Sequence, residues 1–250
     1  MTSTVLQIDG LEKRFGGLHV THDVSFSMNA GDRLALIGPN GAGKTTLVNL
    51  ISGVLKPDAG CIAILGEKVT HSKQEYRVKS GLVRTFQITT LAQHLPVQRQ
   101  IELALFEREG LTASPWRSVD AYPTLTQEAL SILDTLGLIA FAGIPTGRLA
   151  YGDQRLIEMG LALALRPKVL LLDEPMAGVP KADGARLLEA LMNLSDSLAV
   201  MIIEHDMDLV FNFAQRIIVL AEGKILAAGT PNEIRKNALV KAAYLGHTDD

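Results

Sequence analysis

Leu34-Ala35-Leu36-Ile37-Gly38-Pro39-Asn40-Gly41-Ala42-Gly43-Lys44-Thr45-Thr46-Leu47 runs from an apolar tetrad into a glycine-rich turn and out through a lysine and two threonines. The tetrad bounded by glycine reads as a buried strand. Apolar residues at Leu47, Leu50 and Ile51 mark one face of a helix from about Lys44 to Ser52, which Gly53 stops. Between the two, positions 38–45 satisfy G-x-x-x-x-G-K-[ST] at every fixed place, and a strand before with a helix after is the context that gives this pattern meaning. The chemistry accounts for each residue type. Glycines let successive backbone N–H groups curl around a phosphate, and the helix amino terminus adds partial positive charge. Lys44 is placed to reach the β- and γ-phosphate oxygens, and the Thr45 hydroxyl offers the kind of oxygen ligand that Mg²⁺ takes. The plainer reading, a glycine-rich turn that merely caps a helix, leaves the strand–loop–helix order unexplained.

Outward from this stretch, short strands are expected at Val5–Ile8, Val24–Met28, Arg33–Ile37 and Cys61–Leu65, separated by turn residues such as Gly16-Gly17 and Pro57-Asp58-Ala59-Gly60. From about Leu91 to Leu149 the texture becomes helical, which suggests an insertion. Afterwards helices at Gln154–Leu165, Ala182–Leu194 and Leu209–Phe213 alternate with strands at Val169–Leu172, Ala199–Ile203 and Ile217–Leu220, the signature of a parallel sheet covered by helices. Pro231–Leu245 reads as a helical tail.

A phosphate cradle alone leaves kinases, GTPases and ATPases open. The second informative stretch is Val169-Leu170-Leu171-Leu172-Asp173-Glu174-Pro175, an apolar strand ending in two acids at its carboxyl end, where parallel sheets bind ligands. In that position Asp173 supports Mg²⁺ through its water shell, and Glu174 orients or deprotonates an attacking water. Two acids after a strand often just begin a solvated loop; pairing them with the Lys44 loop favours chemistry.

Composition narrows the setting. The 250 residues are 47% hydrophobic and 20% charged, so a buried core rather than disorder is expected. A net charge of −3 gives no general attraction to nucleic acid, and no nucleic-acid partner is expected. The single cysteine, Cys61, excludes an internal disulfide. No apolar run reaches the length of a membrane-spanning helix, and neither a secretory signal nor a lipid anchor is expected at the amino terminus.

Taken in order, the motifs resemble those of the ATP-binding cassette ATPases over nearly the whole chain. Besides the two sites above, Arg84-Thr85-Phe86-Gln87 resembles the family's Q-loop, Leu149-Ala150-Tyr151-Gly152-Asp153 its signature loop, and Glu204-His205-Asp206 its switch histidine. The resemblance implies an α/β fold: a P-loop NTPase, RecA-like core with an amino-terminal antiparallel β-subdomain (together 1–90 and 159–230), an inserted α-helical subdomain (91–158) and a helical tail (231–250). It implies that Gly38, Pro39, Asn40, Gly41, Ala42, Gly43, Lys44, Thr45 and Thr46 bind ATP and that Phe15 stacks on the adenine. Thr45, Gln87 and Asp173 then serve Mg²⁺, while Glu174 and His205 act in catalysis. The signature loop, Leu149 to Asp153, would cover the nucleotide of a second cassette, because neither surface alone surrounds the terminal phosphate.

Within the family, Arg84-Thr-Phe-Gln87, Ile203-Glu-His-Asp-Met207 and Ala243-Tyr-Leu-Gly246 resemble the ATP-binding subunits of branched-chain and hydrophobic amino-acid importers. That implies a peripheral subunit on the cytoplasmic face of the cell membrane. Its partners are a second ATPase, as homo- or heterodimer, two transmembrane permeases and, indirectly, a solute-binding protein. Residues near Leu91–Arg108 would face the permease, although Leu91, Leu95, Ile101 and Leu105 equally suit an internal core. Other readings are a lipid or lipopolysaccharide export ATPase and a soluble cassette in DNA repair or translation. A nucleotide-binding scaffold without turnover is the last; intact Lys44, Asp173 and Glu174 argue against it. Some features depart from the family pattern. Ala150 lacks the common serine hydroxyl, Asp153 stands where glutamine is usual, Leu156 and Leu161 replace frequent arginines, and the segment after Glu174 is one residue short. A carboxylate at position 153 is expected to repel a nearby phosphate. These departures predict a chain that hydrolyses its own ATP but covers a partner's poorly.

Overall fold

All five residues of Arg33–Ile37 (β3) are buried, which a strand must be when both of its faces are covered. The computed structural model, which describes residues 3–85, 91–111 and 122–245, puts this strand inside a six-stranded sheet. Parallel neighbours flank it on both sides: Ala199–Ile203 (β8) and Arg216–Ala221 (β9). Beyond β8 lie Val169–Asp173 (β7) and Leu82–Arg84 (β6), also parallel, and Lys224–Gly229 (β10) closes the other edge antiparallel to β9. The Lys44 loop, the acid pair and His205 therefore leave the carboxyl ends of three consecutive strands, β3, β7 and β8, in the order β3-β8-β7.

A second sheet, antiparallel and four-stranded, is built from Thr4–Phe15 (β1), Leu18–Asn29 (β2), Ala59–Ile64 (β4) and Glu67–Lys68 (β5) in the order β2-β1-β4-β5. Leu6, Ile8, Leu11, Ile62 and Ile64 of this sheet share one apolar cluster with Leu34, Leu36, Leu171, Met201 and Leu220 of the other. The helix Lys44–Ser52 (α1) contributes Leu47, Leu50 and Ile51 to the same cluster, each wholly buried. Burial of one such side chain stabilises by about 1.5–3 kcal/mol, so three along one face fix the helix rigidly in depth and rotation. Gly53 ends it in the left-handed conformation expected of a terminating glycine, its N–H donating to Leu50 O. The helix Gln74–Lys79 (α2) supplies the fully buried Arg77, whose guanidinium donates to the Leu50 and Ile51 carbonyls at 2.6 and 2.7 Å.

The chain divides into two compact units. One holds Met1–Arg84, Lys168–Pro175 and Ser195–Asp250, and the other Thr85–Pro167 with Met176–Leu194. Helices Val97–Arg108 (α3), Pro123–Thr135 (α4), Tyr151–Ala164 (α5) and Lys181–Met192 (α6) make up the second unit. Its interior is tight at Gly160 of α5, where an added Cβ would come within 2.9 Å of Ile101 and 3.0 Å of Leu136. Leu91, Ile101 and Leu105 are buried, so these three belong to the core; Leu103, 47% exposed, is the large apolar residue that α3 turns outward. Arg108 grips Glu128 with both terminal nitrogens, at 2.7 and 2.9 Å, and Arg166 adds two further bonds to the same carboxylate, at 3.0 and 2.8 Å. The expected α/β class, with an antiparallel amino-terminal sheet, a parallel core and a helical insertion, is the fold adopted.

The carboxyl-terminal stretch forms Met207–Phe213 (α7) and then two helices, Pro231–Lys236 (α8) and Ala238–Leu245 (α9), instead of one tail helix. The break has a local cause. The Asn237 side chain accepts hydrogen bonds from Leu239 N and Val240 N, starting a new helix where the first one ends. No helix among the described residues is long and apolar enough to cross a membrane.

Candidate functional site

The loop between β3 and α1 is shaped by contacts that only glycine permits. Gly38 approaches Leu220 O so closely that a Cβ would lie 2.1 Å from it, and Gly43, at φ 96°, would place one 2.6 Å from Val20 O. Both neighbours are backbone atoms that cannot step aside, so a side chain at either position would force the loop open. From behind, Gly223 N donates to Ala42 O and His22 N donates to Gly223 O, at 3.0 and 2.8 Å, tying the loop to the β9–β10 turn and to β2. No side chain caps the amino end of α1. Its first N–H groups are therefore left to an anion or to water. A cavity of about 270 Å³ opens here, lined by residues 40–46, Val20 and Glu174.

Lys44 lies along its own loop, Nζ donating to Gly38 O at 2.7 Å and Pro39 O at 3.0 Å. Burial draws its ammonium below the usual lysine range, while the Glu174 and Asp173 carboxylates oppose that shift. The structure thus brings Lys44, Asp173 and Glu174 into one electrostatic neighbourhood. Thr45 and Thr46 line the same cavity. Asp173 ends β7 with its carboxylate held at 2.6 Å by Arg84 Nη2, and each of these side chains is only 10% exposed. Glu174 follows in the left-handed region at φ 49°, with its N–H donating to Ile203 O at 2.9 Å. That conformation is unfavourable for a residue with a Cβ by about 1 kcal/mol or more, and such strain concentrates at functional sites. Glu174 is among the residues that line the cavity.

His205 leaves β8 with its side chain 72% exposed. Its main chain is fixed by the buried Glu204, whose Oε2 accepts from His205 N at 2.9 Å and Asp206 N at 3.2 Å. Asp206 then caps α7 through Asp208 N and Leu209 N. So the imidazole projects from a pinned turn. Phe15, at the tip of the β1–β2 hairpin opposite Leu18, is 47% exposed with Lys13 Nζ over its ring, 5.6 Å from the centre. Gln87 lies outside the described residues.

In the helical unit, Leu149 and Ala150 lead into α5, and Ala150 supplies no side-chain cap. Tyr151 is 45% exposed and Arg155 lies 5.1 Å from its ring centre. Gly152 lies so close to α6 that a Cβ would meet Asp183 Cβ at 3.0 Å. The Asp153 side chain is 8% exposed and forms an ion pair with Arg186 of α6 at 2.8 Å, so a cation accompanies the carboxylate at this helix end. Arg84, Glu204, Arg186 and the turn at Gly223 had no signal in the sequence as partners of the motif residues, because each pairing depends on the tertiary fold.

A family model described as ABC transporter matches residues 21–177, and one described as branched-chain amino acid ATP-binding cassette transporter matches residues 224–250. The chain is 36% identical over 260 residues to the high-affinity branched-chain amino acid transport ATP-binding protein LivG of Salmonella typhimurium, an alignment covering 98% of this chain and 99% of that one. It is 35% identical to the corresponding protein BraF of Pseudomonas aeruginosa, with the same shares covered. Among solved structures, the ADP conformation of MJ1267, an ATP-binding cassette of an ABC transporter, superposes with a TM-score of 0.84 at 29% identity, covering 98% of this chain and all of that one.

Proposed function

Because this chain belongs to the ABC transporter family and is one of its ATP hydrolases, we propose that it powers an importer of branched-chain or other amino acids. In this reading it sits on the cytoplasmic face of the membrane, paired with a second ATPase against two permease subunits that a solute-binding protein serves. The observation that carries the reading is the near full-length likeness to LivG and BraF, which extends through the carboxyl-terminal segment 224–250. These likenesses do not favour the lipid-export alternative.

At the site, ATP is the substrate. The amides of residues 38–43 and of the α1 amino terminus receive its phosphates, Lys44 binds the terminal oxygens, and Phe15 stacks on the base. Glu174 accepts a proton from the water that attacks the terminal phosphorus, and His205 reports the presence of that phosphate. The donor set suits Mg²⁺, since the Thr45 hydroxyl and the Asp173 carboxylate are hard oxygen ligands, and magnesium is commonly held by one or two such groups together with substrate phosphates. Gln87 completes the set. Bound there, Mg²⁺ neutralises charge on the phosphate oxygens. The residues Leu149 to Asp153 are offered to the nucleotide of the partner cassette, completing a water-excluding enclosure.

Two measurements test this. Cells carrying Lys44→Ala in this chain are expected to lose uptake of labelled leucine or another amino acid. Gentle solubilisation of membranes should also bring down a pair of many-spanning permeases with the chain. Recovery instead in a soluble nucleic-acid complex overturns the reading.

A further inference from the structure

Lys44 and Arg84 both carry positive charge near the acid that ends β7, and Arg84 is the one bonded to it. Arg84 donates through Nη2 to Asp173 Oδ2 at 2.6 Å and through Nη1 to Asn49 Oδ1 at 2.6 Å and Ser52 Oγ at 3.3 Å. Asn49 and Ser52 belong to α1, the helix that Lys44 opens. One planar guanidinium thus spans the strand that carries the acid and the helix that carries the lysine, a geometry that its rigid fork favours. Lys44 meanwhile spends its hydrogen bonds on Gly38 O and Pro39 O, inside its own loop.

The geometry points to Arg84 as a positioning residue, a counter-ion that occupies Asp173 and so keeps Asp173 from drawing Lys44 out of the phosphate loop. Glu174 and, after it, Asp173 oppose the lowering that burial imposes on the Lys44 ammonium, so both acids attract it. A carboxylate only 10% exposed does not stay unpaired at neutral pH, because an uncompensated buried charge is strongly destabilising. Lysine, on a flexible four-carbon stem, is the side chain able to answer it. A Lys44 turned toward Asp173 is no longer directed along the loop where phosphate oxygens would lie. The inference rests on the reading that this loop holds the phosphates of ATP.

The test measures ATP binding to the full chain by calorimetry in EDTA, so that no metal enters. Arg84→Met is expected to weaken ATP binding roughly three- to fivefold, the upper part of the range measured for single ion pairs. Adding Asp173→Asn to Arg84→Met should bring affinity back to within about twofold of the wild type, since the competing charge is gone. Arg84→Lys keeps a cation beside Asp173 and should also stay within about twofold. If Arg84→Met does not fold, the lysine variant and the double variant, which removes the carboxylate with its partner, still carry the test. Unchanged affinity in Arg84→Met overturns the inference. So does a double variant as weak as the single one, or a lysine variant as weak as the methionine one. Failure of the wild type to bind ATP is a different result, which overturns the phosphate-site reading itself.

Discussion

Replacing Arg77 by methionine keeps most of its apolar stem and removes the guanidinium at the carboxyl end of α1. Arg77 is 1% exposed and donates to four carbonyls, those of Leu50, Ile51, Thr70 and Ser72, at 2.6, 2.7, 2.9 and 3.2 Å. Burial is the one cause that lowers its pKa, to about 10, which leaves it charged at neutral pH. At face value that lowering corresponds to about 3 kcal/mol of desolvation, less once screening by solvent is allowed for. Against it stand charge-assisted hydrogen bonds, each about 1.5–3 kcal/mol when the donor is deleted and the acceptor stays buried. Counting only the two short bonds to the end of α1, their loss amounts to about 3–6 kcal/mol, of which the relieved desolvation returns part. A net destabilisation of about 2–3 kcal/mol follows, which for a chain of this size lowers Tm by roughly 4–12 °C. Thermal melting by circular dichroism reads this directly, and hydrogen exchange should show the amides of the last turn of α1 opening sooner. Arg77→Lys, which cannot span four acceptors, should recover less than half of the loss. A methionine variant melting within 2 °C of the wild type would refute the reasoning, because it would mean that water satisfies these carbonyls as well as the guanidinium does.

Changing Glu174 to glutamine should lower ATP turnover by about two to four orders of magnitude while leaving ATP binding intact, as phosphate release and calorimetry would show. In mixed dimers, loss from Glu174→Gln in this chain is expected to exceed loss from the equivalent change in the partner, and equal losses would remove the expected asymmetry. Arg186→Ala strips Asp153 of its partner and should destabilise the chain by about 1–3 kcal/mol, with Asp153→Asn in the same chain restoring most of it on denaturant titration. In the helical unit, hydrogen bonds from Arg108 first, then from Arg166, depress the Glu128 pKa. Its contribution to stability is therefore complete above the ordinary carboxylate value near 4.3 and fades as pH falls through the lower folded-state value. Glu128→Gln should flatten the stability profile on that acid side, and an unaltered acid limb would deny Glu128 this role.

Much of the architecture could be read without coordinates where one local cue sufficed. Arg33–Ile37, Lys44–Ser52 and Ala199–Ile203 have the limits that apolar runs and glycine stops indicate. Helix α5 begins at Tyr151, three residues before the expected Gln154, because Gly152 and an uncapped Ala150 give a weak helix start that close packing on α6 overrides. The β9–β10 hairpin went unread for a conformational reason. Glu222 and Gly223 both have positive φ, and glutamate at the first place lacks the asparagine or aspartate cue that marks such turns. Within the site, the motif residues were legible one by one, since each carries its chemistry in its type and spacing. Their supports were not. Arg84 meets Asp173 across 89 positions of chain, and no periodicity records which distant cation will reach a given acid. The same holds for Asp153, whose type was legible while its pairing with Arg186 across α5 and α6 has no local cue.

The strand that launches the phosphate loop has both its neighbours, β8 and β9, drawn from the last fifth or so of the sequence, and the turn that braces the loop comes later still, at Gly223. A ribosome making this protein therefore delivers residues 38–45 long before it delivers the framework that shapes them. Arrested nascent chains ending near residue 195 would carry the whole glycine-rich motif and yet have no grip on nucleotide, and that grip would arrive abruptly once residue 223 clears the exit tunnel. Competence for ATP is thus withheld from shorter fragments and conferred once the β9–β10 turn has been made.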